Sequence, residues 1–561
     1  MPVLPPFDHV PEALARLLLI GGSGAGLVAA RDMACAAGDA WSDLADALAL
    51  AVWEDVPFGP EAVATLTARQ EKRPFLPPLV ARPLAAVAAG IRPTVPEPYF
   101  DRLVVRRDIP KILAYLLERQ RKQPDDPGVL HRLASFAPMV GPAADTRAIA
   151  AVLAAAPGAL APFGAHMAGE LALLGRRPAE AEVFLRRALS ALPGAGTRQL
   201  LAEALWRQGG RDVAVMELAS ACQERPFDLL ALSRLHDWAT GMADRTLPLE
   251  GRVTVLLYSY KSAALLDRAL AALAETDWTF AASGDATQLF VLDNCSGDDT
   301  ASVLAGWRER LGSRLSVVPL PVNIGAPAAR NWLAGLPEVR AADFAAYLDD
   351  DAFVPADWLG RFGAAVAERP EAGVWGSLVR GLTAPQYVQS ADTHLLPTPR
   401  VTEEYGRAFG LARPWLTTAD WGQYEICRPC ASVTGCCHLF RLPVLTGLGG
   451  FDIRFSPSQY DDLDHDLRLL LTGRTPVFQG HLTVLHAKAT GGVSNPGGAA
   501  YGSGFANQFK LHNKFDDGQI AAAAGTAFAA LAEDAARKVR TLVGMGLIDG
   551  RQDREAGDCG R

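Results

Sequence analysis

The feature that most constrains this chain is Tyr347-Leu348-Asp349-Asp350-Asp351, an aromatic-apolar run that stops abruptly at three carboxylates. Such a run suits a strand buried in a parallel sheet, where both faces are covered. The acids then stand where the strand leaves the core, and ligands of open α/β sheets bind outside that carboxyl edge. Three adjacent carboxylates repel one another unless a cation neutralises them, and hard oxygen ligands suit Mg2+ or Mn2+. The plain alternative is a solvated acidic turn or a helix cap.

The neighbouring sequence favours the sheet. Residues 246–251 read as a linker, after which strands are expected at Val253–Tyr258, Gln288–Leu292 and Leu315–Leu320, with a helix at Ala263–Ala274 after the first and one around Ala328–Ala334 between the third and the acidic strand. Alternating strands and helices predict a mostly parallel, doubly wound sheet. The segment up to about residue 245 reads as helical instead. Within it, Ala181, Ala188 and Pro193 recur 33 positions later as Ala214, Ala221 and Pro226, with Gly175 and Gly209 at the turns. This period resembles that of tetratricopeptide repeats, about 34 residues, and is clearest over 168–230. The expected domains are therefore a helical one over 1–245, an α/β one over 246–518, and a C-terminal helix with a polar tail over 519–561.

One early feature competes with the helical reading. Leu17-Leu18-Leu19-Ile20 before Gly21-Gly22-Ser23-Gly24-Ala25-Gly26 looks like a strand entering a glycine-rich loop, yet Leu27 breaks the G-x-G-x-x-G spacing. A nucleotide-binding loop and a structural turn between helices are the two readings.

A chain of 561 residues is too long for one core. Its net charge of −8 and the lack of a long Lys/Arg run argue against nucleic acid as partner. The N-terminus does not look like a signal peptide, and no apolar run reaches the ~18 residues of a membrane span. Eight cysteines in a chain of this length fit a reducing cytoplasm. The expectation is a soluble cytoplasmic protein, or one peripheral at the inner face of the membrane.

Each strand of the α/β segment ends in residues able to hold a nucleotide. The first runs into Ser259-Tyr260-Lys261 and the second into Asp293-Asn294-Cys295-Ser296-Gly297-Asp298-Asp299-Thr300. Asp293 suits a base or ribose, while Ser296 and Asp298 also suit caps of the next helix. After the third strand comes Asn323-Ile324-Gly325, then Arg330-Asn331; the glycine allows a tight turn and the arginine offers a fork of donors to a diphosphate.

In order and spacing these pieces resemble the family 2 glycosyltransferases of GT-A fold. Gly449-Gly450-Phe451-Asp452, Asp461-Asp462-Leu463-Asp464 with Arg468, and His486 continue the match, over about 251–515. The resemblance implies an inverting, metal-dependent transfer of a hexose or deoxyhexose from a nucleotide sugar, UDP- or TDP-linked, to a hydroxyl. The acceptor is a polysaccharide, a lipid-linked glycan or a protein, in a role such as cell-envelope polysaccharide synthesis. It implies Mn2+ or Mg2+ held by Asp349, Asp351 and His486, with Asp351 the closer ligand and Asp349 nearer to the ribose or a metal-bound water. It further implies a donor site built from Ser259, Tyr260, Asp293, Asn323, Gly325, Arg330, Asn331, Asp349 and Asp350. Asp462, with Asp461 beside it where the family usually has Glu-Asp, is the expected base. Without the resemblance, His486 reads as a structural histidine at a strand end. Asp464 and Arg468 likewise read as an i, i+4 ion pair. The Q-x-x-R-W motif of processive relatives is absent, so a single sugar is expected per encounter.

Cys427, Cys430, Cys436 and Cys437 invite a zinc reading against one of plain packing. Tyr405, Trp415 and Trp421, in the insert before the Gly435–Phe440 strand, either stack on an acceptor sugar or anchor the loop. Two rival functions are a sugar-nucleotide pyrophosphorylase, whose basic glycine-rich loop Ser259-Tyr260-Lys261 does not supply, and a repeat-containing adaptor with an inactive transferase domain. The helical repeats would also suit a protein partner.

Overall fold

The structure, a computed structural model, describes residues 5, 7, 9–22, 24–92, 96–140, 146–282, 284, 287–397, 409–416, 418–487 and 498–549. The chain forms two compact units: 1–239 with 417–423 and 535–561, and 240–416 with 424–534. Among the described residues no helix is long and apolar enough to cross a membrane.

The first unit contains fourteen α-helices between Glu12 and Ala239 among its described residues. Ala161–Leu174 pairs with Pro178–Ala191, and Ala195–Arg207 with Arg211–Glu224. Ala181, Ala188, Ala214 and Ala221 are all buried, at 1% exposure or less. A methyl group at each contact lets the paired helices approach closely. Pro193 and Pro226 follow the helix ends, where the ring cannot continue the helix. The strand expected at Leu17–Ile20 is instead the last turn of the helix Glu12–Ile20. Leu14 and Leu18, four residues apart, bury one helical face, a spacing that a short apolar run conceals. Gly21, at φ +71°, ends that helix, and the cavity beside Gly21, Gly22 and Gly26 is about 20 Å³. That is room for one water and not for a nucleotide, so the glycines form a turn.

The second unit is built on a mixed sheet. Its strands are β1 (Val253–Ser259), β2 (Gln288–Asp293), β3 (Leu315–Pro319), β4 (Phe344–Asp349), β5 (Ala352–Phe353), β6 (Val374–Gly381) and β7 (Val388–Ser390). They continue with β8 (His394–Pro397), β9 (Phe409–Ala412), β10 (Cys427–Pro429), β11 (Cys437–Arg441) and β12 (Pro476–His486). The order across the main sheet is β3-β2-β1-β4-β11-β6-β12-β10, with β5 on β12 and β7 on β6; β8 and β9 pair separately. From β3 to β1 and on to β4 all pairings are parallel, and β11 runs antiparallel to β4 and β6. The chain therefore steps outward from β1 through β2 to β3, then returns to the other side of β1 as β4. That reversal is a topological switch point, where two loops diverge and leave a crevice at the strand ends. The interiors of β1 and β4 are apolar and buried on both faces, in one core with Leu266, Leu270, Trp358 and Phe362 of the flanking helices. Burying a side chain of this size contributes on the order of 2 kcal/mol.

Candidate active site

The crevice between β1 and β4 carries the acids. Tyr258 pairs with Asp349 in register, so the residues just beyond meet across the switch point: Ser259 donates its hydroxyl to Asp350 at 2.7 Å. Both are buried, which makes this bond a clamp between the two strand ends. Immediately after Asp351, β5 is already paired with the end of β12, His486 opposite Ala352. The Ala487 amide donates to the Asp351 carbonyl at 3.0 Å. This hairpin-like pairing brings His486 Nε2 to 3.0 Å from Asp351 and 4.0 Å from Asp349, while Nδ1 faces Gln389 Oε1 at 2.9 Å. The three residues expected as metal ligands thus converge. Desolvation pushes the Asp349 carboxyl up to about 6, against the opposing pull of Arg330 and His486. Two carboxylates and an imidazole with a fixed outer partner are a donor set that fits a divalent cation.

A fourth group reaches the same place. The Asp349 amide donates to the Cys436 carbonyl at 2.9 Å, one residue before β11 begins. The Cys436 Sγ, an Asp349 oxygen and a His486 nitrogen all lie within 4.8 Å of one another. In the sequence Cys436 reads as one member of a cysteine cluster. Among the described residues the four cysteines form no such group, and Cys430 Sγ donates to the Ser432 carbonyl at 3.4 Å. Strand pairing with β4, and not the C-x-x-C spacing, decides where Cys436 sits.

The helix Asp461–Leu470 supplies the rest. Leu463, Leu467 and Leu470 bury its inner face, and its acids each take a different partner. Asp461 meets Arg330 at 2.6 Å. Asp462 accepts the Gly435 amide at 2.9 Å and the Leu463 amide at 2.8 Å. Asp464 pairs with Arg468 at 3.0 Å and with Lys514. Asp466 accepts from the Ser432 hydroxyl at 2.8 Å and the Val433 amide at 3.0 Å. Asp462 and Asp466 thereby pin the 432–435 loop against the helix. Gln459 and Tyr460, with φ of +79° and +70°, make the turn that enters this helix, a left-handed backbone unusual for side chains of that size. An open cleft of about 290 Å³ runs between Asp349, Cys436, Asp461 and Asp462 on one side and Gln389, Thr393 and Trp415 on the other.

Several expected donor-site residues have partners within the protein. Arg330 lines the cleft, and its fork meets protein groups. One terminal nitrogen meets Asp461, and the other meets Asp349 at 3.4 Å and the Gly435 carbonyl at 3.2 Å. The buried guanidinium also lies 5.4 Å from the Tyr258 ring centre and 5.3 Å from that of Phe451. The Asp461 carboxyl is raised by burial, with Arg330 opposing that shift. Arg330 is the cation that lets these acids share a dry site. Replacing it by Leu is expected to lower the stability of this unit by about 3–5 kcal/mol, because Asp461 is left buried and unpaired. Chemical denaturation of Arg330→Leu beside wild type measures this. Arg330→Lys should recover only part of the loss, since one ammonium cannot serve both carboxylates in forked geometry.

Asn331 donates to the Phe451 carbonyl at 2.7 Å and accepts its amide at 2.8 Å, holding the Gly449–Phe451 turn. Asn323 accepts from Asn294 at 3.0 Å and from the Gly325 amide at 2.8 Å. Gly325, at φ +79°, stands before the helix Ala326–Ala334, and a Cβ there would come within 2.8 Å of Ser456 Oγ. Asp293, at the end of β2, accepts the Ser296 amide at 2.9 Å, and Tyr260 is exposed just past β1. Trp415 lines the cleft, but its indole donates to the Asp392 carbonyl at 2.8 Å, which anchors the loop. Trp421 lies in the helical unit with Arg234 4.8 Å from its ring centre, and Tyr405 lies outside the described residues.

Residues 254–427 match the family model Glycosyl transferase family 2. The match includes β1 to β4 and the three acids after β4; Cys436, Asp462 and His486 lie beyond it. The chain is also similar to solved structures. One is described as GalNAc-T7 with UDP, GalNAc and Mn2+, at 12% identity and a TM-score of 0.36 over 46% of this chain and 47% of that one. This chain therefore spans about half of that structure's length. Another is the mannosyltransferase PcManGT from Pyrobaculum calidifontis in complex with GDP-Man and Mn2+, at 17% identity and 0.32 over 60% and 93%. A third is S. aureus TarS, at 19% and 0.29 over 42% and 37%. Scores this low assign neither fold nor function by themselves. A search of curated proteins found no match. The matched residues 254–427 are a family 2 glycosyltransferase region on a mixed, mostly parallel α/β sheet, and an all-helical region precedes it in the chain.

Proposed function

We propose that this chain, whose residues 254–427 form a family 2 glycosyltransferase region, is an inverting, metal-dependent enzyme moving one sugar from a nucleoside diphosphate to a hydroxyl. The observation that carries the proposal is one cleft with two kinds of acid. Asp349, beside Asp351 and His486, stands at one end, and Asp462 faces the same space from the helix Asp461–Leu470.

In this reading Asp349, Asp351 and His486 would hold the divalent cation, which stabilises negative charge on the departing diphosphate. Gln389 orients His486, and Ser259 holds Asp350 so that the acidic turn keeps its shape. Asp462 is the base. Its two oxygens are each positioned by a backbone amide, and unlike Asp461 it makes no ion pair with an arginine among the described residues. The acceptor oxygen bonds to the anomeric carbon as the bond from that carbon to the phosphate oxygen breaks. The electron pair leaves with the nucleotide and the hydroxyl proton goes to Asp462. Attack opposite the leaving group inverts the configuration.

The donor we favour is UDP- or TDP-linked, and the acceptor a glycan, a lipid-linked glycan or a protein. A location in the cytoplasm fits the described cysteines, which form no disulfide. The test is nucleotide release from a panel of UDP-, TDP- and GDP-sugars, with and without Mn2+. Slow hydrolysis of one donor that needs the metal is expected even without the acceptor. No release from any donor, together with no nucleotide binding, would favour the adaptor reading.

A further inference from the structure

We propose that Cys436 is a sulfur ligand of the same metal centre, so that the site holds thiophilic divalent cations such as Zn2+ or Co2+ in preference to Mg2+. The inference rests on the proposed metal-dependent reading and concerns a residue outside the family match.

Three observations carry it. Cys436 is only 5% exposed, yet its Sγ has no hydrogen-bond partner among the described residues. Its position is set by the backbone: the Asp349 amide to the Cys436 carbonyl, at 2.9 Å, locks the residue beside the first acid. The sulfur, an Asp349 oxygen and a His486 nitrogen are mutually within 4.8 Å. In a tetrahedral zinc centre, bonds of about 2.0–2.3 Å place ligand atoms roughly 3.3–3.7 Å apart, so the cluster needs only a small contraction. A buried cysteine is often a small apolar filler, and Cys436 and Cys437 both belong to the core of the sheet. Cys436 in addition lines the cleft, with an acid and an imidazole close to its sulfur. Oxygen ligands alone suit Mg2+ or Mn2+, whereas adding imidazole and sulfur moves the preference toward Zn2+ and Co2+. As the sulfur–metal bond forms, the thiol proton passes to solvent.

The experiment is Co2+ binding to the full chain, followed by calorimetry and by absorption spectroscopy, which reports sulfur-to-cobalt charge transfer in the near ultraviolet. The expected result is a charge-transfer band in wild type that disappears in Cys436→Ser while Co2+ still binds. Zn2+ affinity should fall at least about tenfold in that variant, with Mg2+ affinity little changed. Cys35→Ser and Cys295→Ser, which remove the two thiols exposed among the described residues, should keep the band. If Co2+ binds and depends on Asp351 but gives no charge-transfer band, Cys436 is not a ligand and the metal-dependent reading survives. A band that persists in Cys436→Ser also overturns the inference. If no divalent cation binds, with or without UDP, both readings fall.

Discussion

Changing Asp462 to Asn is expected to lower sugar transfer by about 10²–10⁴-fold, the range that a positioned general base contributes. The effect should appear in kcat, with KM for the donor nearly unchanged, because in the proposed reaction Asp462 acts on the acceptor hydroxyl. Asn keeps the size of Asp but cannot take a proton. It also faces two backbone amides, Gly435 and Leu463, with only one carbonyl oxygen to accept from them. One amide is therefore left without its partner, at a cost of about 1–3 kcal/mol, so melting must be measured beside the rate. Asp461→Asn is the internal control. Asp461 is tied to Arg330 at 2.6 Å, and its loss is expected to act mainly on stability. Should Asp461→Asn abolish the rate with normal melting while Asp462→Asn stays active, the two roles are exchanged.

The second large effect is on binding. In a thermal-shift series with UDP and Mn2+, wild type should gain about 2.7 kcal/mol of stability at a hundred times Kd. Asp351→Asn is expected to lose that metal-dependent gain. The unliganded variant, in contrast, should melt no lower than wild type. Asp351 is 2% exposed and stands among three successive carboxylates, so removing one charge relieves repulsion. Asn can donate its side-chain amide to His486 Nε2, which lies 3.0 Å from Asp351. Opposite signs for folding and for ligand response are the mark of an acid kept for a cation. An unaltered response to Mn2+ and UDP in Asp351→Asn would remove Asp351 from the site.

Some of this molecule follows from local pattern alone. The apolar runs at Val253, Gln288 and Phe344 become β1, β2 and β4, because a strand buried on both faces needs a continuous run of such side chains, and the run at Leu315 becomes the edge strand β3. The helix Ala263–Ala274 has the expected bounds, and the acids of Asp461–Leu470 lie on a helix whose leucines face inward. The strand expected at Leu17–Ile20 is a helix end, since four apolar residues carry no period. Composition likewise cannot say which donors will be consumed internally. Arg330 looks like a diphosphate fork in one dimension; in three it lines the cleft with its fork met by Asp461, Asp349 and the Gly435 carbonyl.

By itself the sequence determined the alternation of elements, the acids at the end of β4 and the two-acid start of the helix Asp461–Leu470. These are short-range matters of hydrophobic period and strand-end chemistry. The tertiary structure alone decided which of those groups meet. The return of β4 beside β1 brings Ser259 to Asp350, and the antiparallel β11 brings Cys436 to Asp349. Pairing of β5 with β12 carries His486 across 135 positions of chain to Asp351. Register between distant strands depends on the hydrogen bonding of the whole sheet, and no local run of residues encodes it.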